Sequence, residues 1–388
     1  MQEQTIAGFW LSPQQKLAWK LETEVLHAGA RSVCSVAISG AVDPDRLKSA
    51  VSAVIARHEI LRTTFRRQTG MKLPFQVVLD VDTPVWEDVD CSAQTEPAAE
   101  IQKVYSREHQ VGANAEDAAA LRVVFVRETN TSSTLILSLS GLCGDAASFR
   151  PLAHEIALLY AGKDELPEPF RYVQFAQWQL DLLESDSEDE QRGRDFWKKQ
   201  AVPEYPALTW AAKGANDFKP EVHRLQTTGN VGALSQKSDA APVLLSAWAA
   251  LMGRLSGQTA FSLGVAASSR EFEELENAIG CFERTLPISF DIQSHFSFSD
   301  VQRRTREAVD QSVAVQEYFA SESHDPEAVS FAYRDLGSAE EIADVRFELE
   351  RVYVISERFK LRLVAVRRGS ELTLEFHYDS SRLSRSVV

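Results

Sequence analysis

The sequence has no run of about 18 apolar residues, the length of helix needed to cross a bilayer, so no segment is expected to span a membrane. It is short of basic charge. There are 41 Lys and Arg against 56 Asp and Glu, a net charge of −15. Such a chain offers no broad phosphate-neutralising face, which argues against nucleic-acid binding as its main function. Cysteine is scarce: Cys34, Cys91, Cys143 and Cys281 stand far apart, with no C-x-x-C pair. That spacing argues against a zinc site and a disulfide scaffold, and suits a reducing cytoplasm. Met1 to Trp10 carries no basic stretch ahead of an apolar core, so no secretory signal is expected.

What is present is globular. Apolar residues make up 44% of the chain and charged residues 25%, which excludes disorder as the main state. A length of 388 residues suggests two or three domains. Strand and helix signals alternate, so the fold class is α/β or α+β. Asp43 reads as an N-cap and Pro44 as the first helical residue, followed by Leu47, Val51, Val54, Ile55 and His58 at helical spacing. Ser32–Ser39 and Gln76–Val81 read as strands. Leu121–Arg127 and Thr134–Leu139 flank a turn-rich segment and read as a hairpin. Directly after it comes Ser140-Gly141-Leu142-Cys143-Gly144-Asp145, then a helix from Ala147 to Tyr160. A loop at the end of a rigid strand is a common place for chemistry.

Gly162–Phe170, with two prolines and several charges, reads as a linker. A long helical segment follows from Tyr172. Its charge run, Ser185–Arg194, is expected to be a solvated face rather than a metal site. Further on, Pro242–Leu255 reads as a helix. Ala260–Ala266, Leu286–Phe290, Leu361–Arg367 and Glu371–His377 read as strands. A cut near residue 170 gives two comparable halves, 1–170 and 171–388.

Four motifs in order carry a family resemblance. Arg57-His58-Glu59-Ile60-Leu61-Arg62-Thr63-Thr64-Phe65 matches the RHExLRTxF signature of condensation domains from nonribosomal peptide synthetases. Leu11-Ser12-Pro13-Gln14-Gln15 through Trp19 resembles LSxxQxxLW. Tyr172–Gln179 resembles YxDYAxWQ with Gln174 in place of Asp, and Ile279–Pro287 resembles IGxFVNTLP. The resemblance implies two chloramphenicol-acetyltransferase-like lobes arranged as a V-shaped pseudo-dimer. It also implies a central tunnel entered by the phosphopantetheine arms of carrier proteins, with no directly bound cofactor.

The family's HHxxxDG motif is degenerate here. Aligning Asp145 with the family Asp puts Ser140 at the first His and Gly141 at the second, and Ala146 replaces the Gly. The catalytic His is therefore absent, and neither His58 nor His154 stands in the loop. In the family the Asp pairs with the Arg of the LRT motif, so the resemblance implies an Asp145–Arg62 pair that fixes the loop. Cys143 and Ser140 are nucleophile types, but each needs a base within reach and no local His supplies one. Cys143 is expected as a small buried side chain and Ser140 as a partner of the loop backbone. Arg284 replaces the family Asn of NTLP and Glu283 precedes it. These two read either as a local surface pair or as charges at the tunnel or its mouth.

Three functional readings follow. The first is a noncatalytic condensation-like domain, similar to the X-type and interface-type members, which docks a carrier protein, recruits a trans-acting tailoring enzyme such as an oxygenase, or does both. The second is an atypical condensation enzyme that forms an amide or ester by proximity, with Ser140 as its candidate aid. The third, ranked lowest, is a stand-alone acyltransferase. An acidic carrier needs a local basic patch, and Arg303, Arg304 and Arg306 on one predicted helix are the candidates. Tyr378–Val388 resembles the start of the family's last segment, so the chain is expected to be part of a larger cytoplasmic synthetase beside neighbouring domains.

Overall fold

The computed structural model describes residues 8–26, 31–80, 83–110, 120–185, 187–200, 204–212, 217–237, 240–319, 321, 324–342 and 344–388. Val81, the end of one expected strand, and Met1–Ala7 of the leader reading lie outside these. The strands of the first half are β1 (Arg31–Ser39), β2 (Thr63–Arg66), β3 (Phe75–Val78), β4 (Val85–Asp90), β5 (Leu121–Arg127) and β6 (Ser132–Ser140). Those of the second half are β7 (Pro220–Gln226), β8 (Ala260–Ser268), β9 (Glu283–Asp291), β10 (Val329–Asp335), β11 (Glu340–Ile342), β12 (Val345–Tyr353), β13 (Leu361–Arg368) and β14 (Glu371–Asp379).

The chain divides into two compact units. One holds 1–181, 270–282 and 336–356; the other holds 182–269, 283–335 and 357–388. A single cut at residue 170 therefore does not describe the division, because two later segments belong to the first unit. The reason is strand pairing. The first unit's sheet runs β11-β12-β1-β6-β5-β4, and β12 lies antiparallel to β1, with Val33 opposite Tyr353 and Ser39 opposite Arg346. Two strands some 300 residues apart leave no local signal of their partnership.

Local physics explains the elements around the site. The helix Pro44–Arg57 starts where Asp43 accepts the Asp45 and Arg46 N–H groups at 3.0 and 3.2 Å. It buries Leu47, Ala50, Val51, Val54 and Ile55 as one stripe, while His58, expected on it, is the extended residue that ends the helix. β5 and β6 form the expected antiparallel hairpin, with Leu121 opposite Leu139. β6 lies between β1 and β5 and is buried along nearly its whole length, which suits its run of Leu and Ile. Such a strand is a fixed platform, and the loop Gly141–Asp145 leaves directly from its end.

The second unit's sheet runs β7-β14-β13-β10-β8-β9. The helix Ala240–Ser256 covers it with Leu244, Leu245, Trp248 and Met252 against Phe261, Leu263, Phe331 and Leu363. The charge run holds a helix, Glu188–Lys199, capped by Ser187. Among the described residues no group of acids, cysteines or histidines could hold a metal ion, and no helix is long and apolar enough to cross a membrane.

Candidate functional site

The loop after β6 is held by the motifs that flank it. Ser140, at its start, is buried, and its Oγ accepts the Leu142 N–H at 3.3 Å. Its hydroxyl therefore serves the loop backbone, as the sequence suggests. Cys143 is fully buried. Gly141 is partly exposed. Gln15, which caps its own helix with Ser12, donates from Nε2 to the Leu142 carbonyl at 3.0 Å and to Gln76 Oε1 at 2.9 Å. The first motif thus fastens the loop from the side.

Asp145 is the anchor at the far end. Its Oδ1 accepts the Ser148 N–H at 3.1 Å, and its Oδ2 accepts the Phe282 N–H at 2.9 Å. Arg270 Nη1 donates to Oδ2 at 2.7 Å. Burial pushes the carboxyl up, but Arg270, Ser148 and Phe282 outweigh it and hold it below the ordinary carboxylate range. Arg270 also donates to the Ala278 carbonyl at 3.0–3.1 Å and stacks over the Phe282 ring at 4.6 Å.

The expected Asp145–Arg62 pair is not formed. Arg62 ends a short 3₁₀ turn, donates to the Leu79 carbonyl, and lies 4.0 Å from Glu59. Bound there by the chain end of β3, it leaves Asp145 to Arg270. The motif around Gly280 closes the same assembly. The Tyr172 hydroxyl donates to the Cys281 carbonyl at 2.7 Å and lies 2.8 Å from Ser12 Oγ. A Cβ on Gly280 would come within 2.2 Å of the Tyr172 ring, so only glycine permits this approach.

Glu283 and Arg284 do not form a local pair. They are neighbours on β9, and successive strand residues face opposite sides. Arg284 is buried and meets Glu317 at 2.6 Å and Ser269 Oγ at 3.2 Å. Glu283 meets Arg362 at 3.2 Å. Arg303, Arg304 and Arg306 are all exposed on the helix Phe298–Val313. Arg303 binds Glu307 at 2.9 Å and Arg304 lies over Phe296 at 4.4 Å.

One buried acid was missed by sequence reasoning. Glu22 lies one turn beyond Trp19, in a π-helical turn that continues the first helix. It is 5% exposed, and its Oε1 is buried without a hydrogen-bond partner. Burial pushes its pKa up to about 8, against the pull of Arg31 and of the backbone at Gly141. The signal was available: Gln15, Ala18, Trp19 and Glu22 follow one helical stripe, which puts an acid on a buried face.

The family model of the condensation domain matches residues 9–388. The chain belongs to the condensation-domain family. It is 23% identical over 319 residues to surfactin synthase subunit 1 of Bacillus subtilis (strain 168), a match covering 79% of this chain and 9% of that protein. It spans less than a tenth of the length of the first curated relatives it matches. Among solved structures, the first condensation domain of the CDA synthetase superposes with a TM-score of 0.83 at 16% identity, covering 98% of this chain and 93% of that one. The X-domain in its complex with OxyB from teicoplanin biosynthesis superposes with a TM-score of 0.76 at 19% identity, covering 98% and 90%. The mixed α/β fold with two six-stranded sheets is thus that of condensation domains, a chloramphenicol-acetyltransferase-like fold.

Proposed function

We propose that this chain docks a carrier protein of a nonribosomal peptide synthetase and holds its phosphopantetheine-borne group at the loop Ser140–Asp145, without imidazole-based peptide-bond formation. The observation that carries this reading is the loop itself. The loop is anchored by Asp145, Ser148, Gly280 and Gln15, with Arg270 in place of the expected Arg62, while Gly141 stands where the imidazole belongs. The X-domain neighbour, solved with OxyB, supports recruitment of a tailoring enzyme such as an oxygenase as the second half of this role. Neighbouring synthetase domains and a cytoplasmic setting belong to the same reading.

Carrier docking is assigned to the helix Phe298–Val313. Arg303, Arg304 and Arg306 are exposed there, and Arg304 borders a recess of about 220 Å³ with Phe290, Asp291 and Thr305. Asp300, Glu307 and Asp310 share the helix, so the local field is weaker than three arginines alone would give. The test is titration of the holo-carrier from the same synthetase, and of oxygenases of the same pathway, into this domain. Saturable binding of the carrier, reduced at low salt by reversing the three arginines, is the expected result. Binding to neither partner contradicts the reading.

A further inference from the structure

The helix Tyr172–Glu184 buries Tyr172, Val173, Phe175, Ala176 and Gln179. Trp178 stands out from it, 40% exposed, and meets the Phe272 ring edge-on with centroids 5.8 Å apart. Phe272 is itself 47% exposed, and both residues belong to the first unit. A single exposed apolar residue is ordinary; two large rings in contact at the surface are not, since each forgoes the burial its area would bring. The pair is also held in place. The Leu275 N–H bonds to the Phe272 carbonyl at 2.9 Å, and the Ala278 N–H to the Leu275 carbonyl at 3.0 Å. Leu275 is buried, so this run of tight turns is fastened beneath the ring it displays. Behind Trp178 the rings continue inward: Phe175 at 5.7 Å, then Phe282 at 4.7 Å from Phe175. Arg270, which holds Asp145, lies over that last ring. A stack of aromatic rings therefore joins the exposed pair to the anchor of the motif loop.

The charge around the pair has one sign. Glu273, Glu274 and Glu276 are exposed on the turns that carry Phe272, and they make no ion pair among the described residues. Asp181, one turn beyond Trp178, is exposed as well and accepts from Gln177 at 2.7 Å. The one cation in residues 270–282, Arg270, is buried and committed to Asp145. Arg171, on the residue before the helix, is bound to Glu59 at 2.8 Å. Ring faces and carboxylates attract the same group, an arginine or lysine side chain. An acidic carrier is repelled here and is assigned to the arginine helix. Two copies of a chain with a net charge of −15 repel each other too. A domain tethered in the same polypeptide needs no steering charge, because the tether already raises its local concentration. A separate protein does gain from one. We propose that Trp178 and Phe272, ringed by Glu273, Glu274 and Glu276, form the docking surface for the tailoring enzyme, which meets it with an arginine- or lysine-bearing face. The rings supply a water-excluding centre and the acids a polar rim. The enzyme is thereby seated on the same stack that anchors the loop.

The inference rests on the recruitment half of the proposed function, and the experiment separates the two. Each tailoring enzyme of the same pathway is titrated into the full chain, as wild type, as Phe272→Ala, and as the triple variant Glu273→Gln, Glu274→Gln, Glu276→Gln. All four positions are exposed, and melting temperatures close to wild type verify that both variants fold. One enzyme is expected to bind saturably, with affinity at least about tenfold weaker in Phe272→Ala. In the triple variant the association rate is expected to fall and its salt dependence to flatten. Carrier affinity is expected to be unchanged in both. Hydrogen exchange in the wild-type complex is expected to slow in 172–184 and 270–278. Equal enzyme affinity in all three proteins, or protection confined to other segments, overturns this inference and leaves recruitment intact. Protection of the patch by a neighbouring synthetase domain in place of the enzyme also overturns it. No enzyme bound overturns both.

Discussion

Arg270 and Asp145 stand 125 residues apart and meet at 2.7 Å, with both side chains almost fully buried. Each satisfies the other's charge, and Arg270 spends its remaining donors on Ser148 and the Ala278 carbonyl. Removing one partner strands the other. Arg270→Ala and Asp145→Ala are each expected to lose about 3–5 kcal/mol in urea unfolding. Arg62→Ala, which breaks contacts to Leu79 and Glu59 alone, is expected to lose clearly less. Equal losses at Arg62 and Arg270 would return the anchoring role to Arg62.

The same pair sets an acid limit. The folded pKa of Asp145 lies below its unfolded value, so its stabilisation is present above the unfolded pKa and lost as pH falls through the folded one. Asp145→Asn is expected to lose most stability relative to wild type near neutrality and least in strong acid. Thermal melts from pH 2 to 7 measure this. A gap that stays constant over that range would contradict it.

Glu22 behaves in the opposite sense. Its folded pKa of about 8 lies above the ordinary value of 4.5, so the neutral form stabilises the fold and that benefit fades as pH rises from 4.5 through 8. Glu22→Gln keeps the shape and cannot ionise. Relative to wild type it is expected to gain stability with rising pH, on the order of 3–5 kcal/mol between pH 4.5 and 8. The same melting temperature difference at pH 5 and pH 8 would show that Glu22 is not held neutral.

Much of this was legible in the sequence. The Asp43 cap, the β5–β6 hairpin and the four motifs are local patterns, and local patterns survive in one dimension. The β1–β12 pairing and the return of 270–282 and 336–356 to the first unit are not local, so a single cut was the natural error. Arg62 misled for a similar reason: motif order gives adjacency in a family, whereas the carbonyl of Leu79 captures this particular side chain. Glu283 and Arg284 looked like a pair because they are neighbours in sequence, yet strand alternation sends them to different partners. Glu22 was overlooked because a lone acid near the start of a chain reads as surface until its helical stripe is counted.

Gly280 tests how tightly the motif strands close on the loop. A methyl group there would meet Tyr172 Cδ2 at 2.2 Å and Phe282 Cε2 at 2.8 Å, both on large buried rings. Gly280→Ala is expected to destabilise by about 1–3 kcal/mol, as overpacked cores do. Ala at Gly257, where no atom lies within 4 Å, meets no such clash and loses stability only through its positive φ. Calorimetry on the two variants distinguishes close packing from backbone strain. A smaller loss at Gly280 than at Gly257 would contradict the close approach.

The central claim is that a motif loop kept in shape without its imidazole still receives a carrier-borne group. Fluorescence anisotropy with a labelled holo-carrier from the same synthetase tests it most directly, using wild type and Asp145→Asn at a temperature where both are folded. Saturable binding to wild type, with the pantetheine-dependent part of the affinity weakened in Asp145→Asn, is the predicted result. No binding to wild type, or identical affinity for apo- and holo-carrier, would contradict the account.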